Sequence, residues 1–357
     1  MSAIVLATHL SCASTSIFTA QSPSDVESYC AWLGDVGDGV LYFGESAFWS
    51  AAWRHGNDPL ADLLEPGPRR IGRFDLVAER MLPPLDIPGD SRSGIWDVLF
   101  HPNGRLYFTN FYEFAGWVDP RTAEVQLLPH LGDGLNELTL GPDRSILATR
   151  YGYSNSRPSS VVKFDPDGRL LAEYLLDPSP GYDPAAKSVA YDRVRDWIWI
   201  NTDLFARDGR PIQFDARVLD GSGRELARWE TPMLHFMTFG LDGTGYLAEV
   251  SEDALFLRIV PPDATGPPPT LGRSIRLDAS FTPNPDFVQD VRVDGGGRVV
   301  LTAWSGRIYV VGPGDRVRTL QLPRPGGGGL YYAGVLTDDR VCAILCSQVT
   351  VVCAPAP

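Results

Sequence analysis

Residues 94–120 read GIWDVLFHPNGRLYFTNFYEFAGWVDP, and this stretch decides the fold. Ile95 to Phe100 is apolar around one acid. His101-Pro102-Asn103-Gly104 is a turn, and Asn-Gly between apolar runs is a strong hairpin signal. Leu106 to Thr109 are mostly β-formers. Gly116-Trp117-Val118 opens a third strand, Asp119-Pro120 ends it, and Val125 to Leu128 makes a fourth. The unit recurs at Tyr29, Gly134, Lys187, His235, Phe287 and Tyr331. Copies spaced roughly 40–50 residues apart are the mark of propeller blades of four antiparallel strands. A blade cannot bury its apolar faces alone, so blades stack into a ring around a channel lined by their innermost strands.

The expectation is therefore an all-β chain, a single seven-bladed β-propeller over residues 1–357. Its blades are placed at about 28–83, 93–129, 134–174, 185–229, 233–278, 287–323 and 328–357. The last repeat offers only three strands, so Ser2 to Leu10 is expected to supply its outer strand and close the ring without an exposed edge. A six-bladed ring, with Tyr29 to Leu76 as a cap, is the alternative. Residues 44–64 form a long insertion carrying Glu45, Trp49, Trp53 and His55, read as a wall beside one mouth.

The chain has 357 residues, 44% of them hydrophobic, and a net charge of −13. That acidity argues against nucleic acid and anionic membrane as partners. No apolar run reaches membrane-spanning length, and the N-terminal stretch lacks the basic start of a signal peptide. The reading is a cytoplasmic monomer that binds a small molecule. Five cysteines (Cys12, Cys30, Cys342, Cys346, Cys353) cluster near the two chain ends. In a cytoplasmic chain they are expected to be reduced. The alternative is a ring-sealing disulfide in a secreted or periplasmic chain.

Aligning the blades on their first hairpin gives two rows at the start of the inner strands. One row is Asp97, Glu137, Ser188, Phe236, Asp290 and Tyr332. The other, one residue earlier, is Trp96, Asn136, Lys187, His235, Gln289 and Tyr331. Adjacent strand residues face opposite sides, so one row faces the channel, and a one-residue slip would exchange them. The earlier row is favoured as nearer the mouth. The second strands end at the same mouth with Asn110, Tyr112 and Glu113, with Arg150, Tyr151 and Tyr153, and with Asn201 and Asp203. A polar floor with aromatic walls fits a small-molecule site.

The units GRLYFTNF, GYLAEV and GRVVLTAW, each after a turn rich in Gly, Asp or Asn, resemble blades of the SMP-30/gluconolactonase, strictosidine-synthase and virginiamycin-B-lyase-like (NHL-type) propellers. The resemblance covers nearly the whole chain and concerns the fold. It implies one divalent cation, calcium or magnesium, held at the channel by a Glu, two Asn and an Asp. Asn136-Glu137 resembles the Asn-Asp of that set. Lys187 stands at the next Asn position, His235 or Phe236 at the Asp position, and Trp96 or the displaced Glu45 near the early Glu.

Glu137, Lys187 and His235 are the candidate proton-transfer residues. A lysine that loses solvation falls in pKa and can act as a base. Asn136, Asp97 and Asp290 are the candidate cation ligands. Trp96, Arg150, Tyr151, Tyr331, Tyr332 and Gln289 are the candidate substrate contacts; Arg150 could clamp a carboxylate or pair with Glu113. Each has a structural alternative: a Glu137–Lys187 ion pair, a hydrogen-bonded histidine, carboxylates capping backbone N–H groups, or rings filling the channel. No nucleotide fingerprint or GxSxG motif occurs. The expected function is lactonase- or esterase-like hydrolysis, or acid/base lyase or cyclase chemistry. A non-catalytic ligand-binding or protein-interaction propeller is the alternative.

Overall fold

In the computed structural model, the hairpin that opened the reading forms as expected. Asp97–Phe100 pairs with Leu106–Asn110, and Gly104 takes a positive φ of 86° while its N–H bonds the His101 carbonyl at 2.9 Å. Asn103 Oδ1 accepts the Arg105 N–H, which sets the turn. The structure describes residues 18–21, 30–46, 67–91, 94–111, 113–152, 157–208, 210–231, 236–251, 254–264, 272–279, 281, 288–323, 330–337, 340–346 and 350–356.

These residues build seven four-stranded antiparallel sheets, one per blade. The ring has seven blades, not six. Blades 1 to 6 run in chain order, from Cys30–Gly37 as the innermost strand of blade 1 to Arg316–Gln321 as the outermost strand of blade 6. Blade 7 takes Leu330–Leu336, Arg340–Cys346 and Thr350–Pro355 from the C-terminus, and its fourth strand from the N-terminal side. That fourth strand is Phe18–Gln21, in the register Phe18↔Cys353 to Gln21↔Thr350. Closure by a strand from the N-terminal side is therefore correct, but the expected segment, Ser2 to Leu10, lies outside the described residues and a later one fills the slot. The insertion's Trp49, Trp53 and His55 also lie outside them. Glu45 belongs to the second strand of blade 1 and is fully buried.

Among the described residues, seven apolar clusters hold the ring, each joining consecutive blades. Between blades 2 and 3, for example, Tyr107 and Trp117 meet Ile146 and Val162. Between blades 7 and 1, Ile344, Val351, Cys342 and Cys353 meet Leu41, Phe43 and Phe74. The ring thus closes twice, through the borrowed strand and through a shared core.

Polar stitches run beneath these clusters along the inner strands. Thr109 donates to the Asn136 carbonyl at 2.7 Å, and Thr149 to the Lys187 carbonyl at 3.2 Å, each reaching the next blade. Asn136 Nδ2 reaches the same Lys187 carbonyl at 2.8 Å. Thr109 is fully buried, so Thr109→Val is expected to cost about 1–3 kcal/mol in urea unfolding, the penalty of a buried carbonyl losing its donor. An unchanged midpoint would show that the stitch contributes nothing.

Cys342 and Cys353 form a disulfide between directly paired strands of blade 7. This corrects the expectation of five reduced thiols. The bridge does not span the ring seam, and Cys346 is disulfide-bonded as well. A cross-link between residues 11 apart restricts the unfolded chain by about 3 kcal/mol on the loop-entropy estimate. Reducing agent should lower the melting temperature accordingly, and non-reducing peptide mapping should recover the 342–353 pair. No helix among the described residues is long and apolar enough to cross a membrane.

Candidate functional site

The inner strands carry a recurring irregularity that decides which side chains reach the channel. Their pairing with the second strand shifts between Ala31 and Gly34, Leu135 and Leu138, Ala186 and Ser188, Val288 and Asp290, and Tyr332 and Gly334. A bulge adds a residue and re-aims its neighbours. The bulges fall where strict alternation was used to choose between the two rows. The outcome is that Asp97, Glu137, Ser188, Phe236 and Asp290 line the central cavity. Of the favoured earlier row, Trp96, Asn136, Lys187 and Tyr331 do not. Trp96 is buried and stacked on Phe111 at 4.7 Å between ring centres. Asn136 is buried with its amide on the Lys187 carbonyl.

In blade 7 the bulge comes at Ala333, so Gly334 takes the lining position expected for Tyr332. The first hairpin of that blade is shorter, closing from Thr337 to Arg340, which misplaced the alignment. Tyr331 is fully buried between blades 6 and 7, its hydroxyl on the Pro323 carbonyl. The side chains of Tyr332 and Gln289, and all of His235, lie outside the described residues. Of the remaining histidines, His101 and His130 are tied to the backbone of blade 3. His101 Nε2 donates to the Arg144 carbonyl at 2.9 Å, because its Nδ1 already accepts the Asn103 N–H at 3.1 Å. His130 meets the Gly168 carbonyl at 2.7 Å.

Arg150 is fully buried and holds no free guanidinium. It pairs with Glu173 at 2.9 Å and donates to the carbonyls of Leu131 and Asp133. The pairing with Glu113 is corrected: Glu113 bonds Arg69 at 2.7 Å.

The cavity has a volume of about 570 Å³. It runs from the level of Asp97, Glu137 and Asp290 to the first hairpin turns, where Arg193 and Gly295 line it. Two charged groups stand in it that the sequence reading passed over. Arg292, two residues past Asp290, pairs with Asp290, reaches the Gly34 carbonyl, and lies 3.7 Å from Asp35. It spans from blade 6 to blade 1 in front of blade 7, whose lining residue there is glycine. Asp35 Oδ2 accepts the Phe100 N–H of blade 2 at 3.0 Å, and Asp97 Oδ2 accepts the Leu138 N–H of blade 3 at 2.7 Å. A charged residue two positions along an inner strand from an aligned acid was the signal available for Arg292.

Burial dominates the electrostatics. It lifts Asp97 from 3.8 to about 7, against the stabilising N–H groups of Leu138 and Val98. It raises Asp35 despite Arg292 nearby. It pushes Glu137 well above the usual glutamate range, and the neighbouring Asp97 charge adds to the effect while Lys187 opposes it. For Arg292, burial works against the charge, but Asp290 and Asp35 overcome it and hold the guanidinium protonated. Among the described residues, no hydrogen-bond or ion-pair partner meets the Glu137 carboxyl, and this carboxyl, raised well above the usual glutamate range, stands beside one poised to ionise near neutrality.

The residues expected to hold a cation have other partners here. Asn136 donates its amide nitrogen to the Lys187 carbonyl, both Asp97 oxygens accept backbone N–H groups, and Asp290 is paired with Arg292. Among the described residues, no group of three His, Cys, Asp or Glu side chains is arranged to hold a metal ion.

No family model and no curated protein matches the chain. Among solved structures, the fold is similar to that of a catalytically inactive histidine-to-alanine variant of virginiamycin B lyase from Staphylococcus aureus, solved with quinupristin. The TM-score is 0.61 at 10% identity, over 96% of this chain and 100% of that one. The likeness shows the propeller fold of that lyase.

Proposed function

We propose that this propeller is an enzyme that transforms a small organic molecule in its central channel by proton transfer, of the lyase or lactonase-like hydrolase type. The observation that carries the reading is the Glu137 carboxyl: unpartnered among the described residues, pushed well above the usual glutamate range by burial, and lining a cavity large enough for a small substrate. Glu137 acts as the acid that protonates a leaving oxygen. Asp97, on the next blade, acts as the base once ionised, and its two backbone N–H bonds hold it in place. Two carboxyls whose surroundings push their acidities apart divide such roles. Similarity of fold to a lyase agrees with elimination chemistry but does not choose it over hydrolysis. No step is assigned to a cation.

The test is a screen of lactones and cyclic esters by mass spectrometry. Hydrolysis adds the mass of water, whereas ring-opening elimination leaves the mass unchanged. Glu137→Gln should lower turnover by about 10²–10⁴, the usual worth of a positioned proton donor, with the melting temperature preserved. Ligands that bind without conversion would leave a binding propeller instead, and a Glu137→Gln variant as active as wild type would remove Glu137 from the chemistry.

A further inference from the structure

A second polar cluster joins blades 3 and 4 near the ends of their second strands. Tyr151 of blade 3 donates its hydroxyl to Asp203 Oδ2 of blade 4 at 2.8 Å. Lys187 Nζ is 3.9 Å from the same oxygen and 5.8 Å from the centre of the Tyr151 ring. Phe205 stands edge-on to that ring at 6.1 Å. Asp203 is 6% exposed, and its other oxygen, Oδ1, is buried with no hydrogen-bond partner. A buried oxygen left without a donor costs about 1–3 kcal/mol, a cost that a donor from a ligand would relieve. Lys187 is half-buried and carries three N–H donors. Among the described residues its ammonium forms an ion pair with Asp203 alone.

We propose that this cluster is a ligand site for the head group of an α-amino acid, separate from proton transfer at Glu137. The ligand ammonium fills the vacant oxygen of Asp203, its carboxylate takes the spare donors of Lys187, and its side chain packs on Tyr151 and Phe205. The charge pattern selects the zwitterion. An anion alone would leave Asp203 unfilled, and a cation alone would compete with Lys187.

The scarcity of lysine makes the test clean. The chain has two lysines, Lys163 and Lys187, so full-length protein labelled with [13Cε]lysine gives two ε signals, assigned with Lys163→Arg. Titration with phenylalanine should move the Lys187 signal saturably and leave Lys163 unmoved. Phenylalaninamide and N-acetylphenylalanine each lack one charge and should bind about tenfold or more weakly, the worth of one charge-assisted hydrogen bond. Asp203→Asn should abolish the saturable shift while the Lys163 signal and the melting temperature stay as in wild type. The proposal is overturned if phenylalanine produces no saturable shift, if N-acetylphenylalanine binds equally well, or if Asp203→Asn still binds. Should Asp203→Asn fail to fold, the comparison of the three probes on wild type decides alone. A positive result without turnover anywhere would leave this site standing and remove the enzyme reading.

Discussion

Relative to an Asp97→Asn variant, the wild-type chain is expected to lose about 3 kcal/mol of folding stability as the pH rises from about 4 to about 7, because burial lifts Asp97 from 3.8 to about 7. Below the unfolded value, Asp97 is protonated in both states and costs nothing. Between the two values the unfolded chain releases the proton while the folded chain keeps it, which favours unfolding. Above the folded value the loss is complete and constant. Asparagine does not titrate, so any fixed cost of the substitution appears as an offset, and the pH slope of the difference isolates Asp97. Urea unfolding of both proteins across this range measures it. Parallel stability curves would mean that Asp97 is not held in a burying environment.

The second large effect concerns closure. Removing residues 1–21 should destabilise the protein by roughly 2–6 kcal/mol, from up to about four ladder hydrogen bonds at about 0.5–1.5 kcal/mol each. Four residue pairs, Phe18↔Cys353 to Gln21↔Thr350, join that strand to the last blade. Removing residues 1–10 alone should cost far less, because the paired strand is kept. The exposed edge of Thr350–Pro355 should also promote association in the longer deletion. Equal melting temperatures for the two truncations would contradict closure by Phe18–Gln21.

Much of the ring was legible in the sequence because hairpin turns and apolar strands repeat in every copy. Asn103-Gly104 and Asp294-Gly295-Gly296-Gly297 announce their turns by residue type alone. The missing fourth strand of the last blade was legible by counting, but its identity was not, since Ser2 to Leu10 looks more like a strand than FTAQ does. The channel lining was legible only as two alternative rows. Alternation assumes an unbroken period of two, and bulges at Asn136, Lys187 and Gln289 break it at the decisive place. Arg150 looked like a substrate clamp because no local pattern reveals Glu173, which comes from the outermost strand of the same blade. Asp35 and Arg292 meet across an entire intervening blade, a pairing that exists only once the ring has closed.

The central claim is that Glu137 stands protonated in the channel at neutral pH, ready to donate. The most direct measurement is the side-chain carboxyl 13C shift of glutamate-labelled protein followed against pH, with Glu137→Gln to assign the signal. The expected result is a Glu137 midpoint well above the ordinary 4.5, with the signal still in its protonated position at neutral pH. A midpoint at the ordinary value would mean that the carboxyl is hydrated and ionised, and the channel would then hold no acid of the kind this account requires.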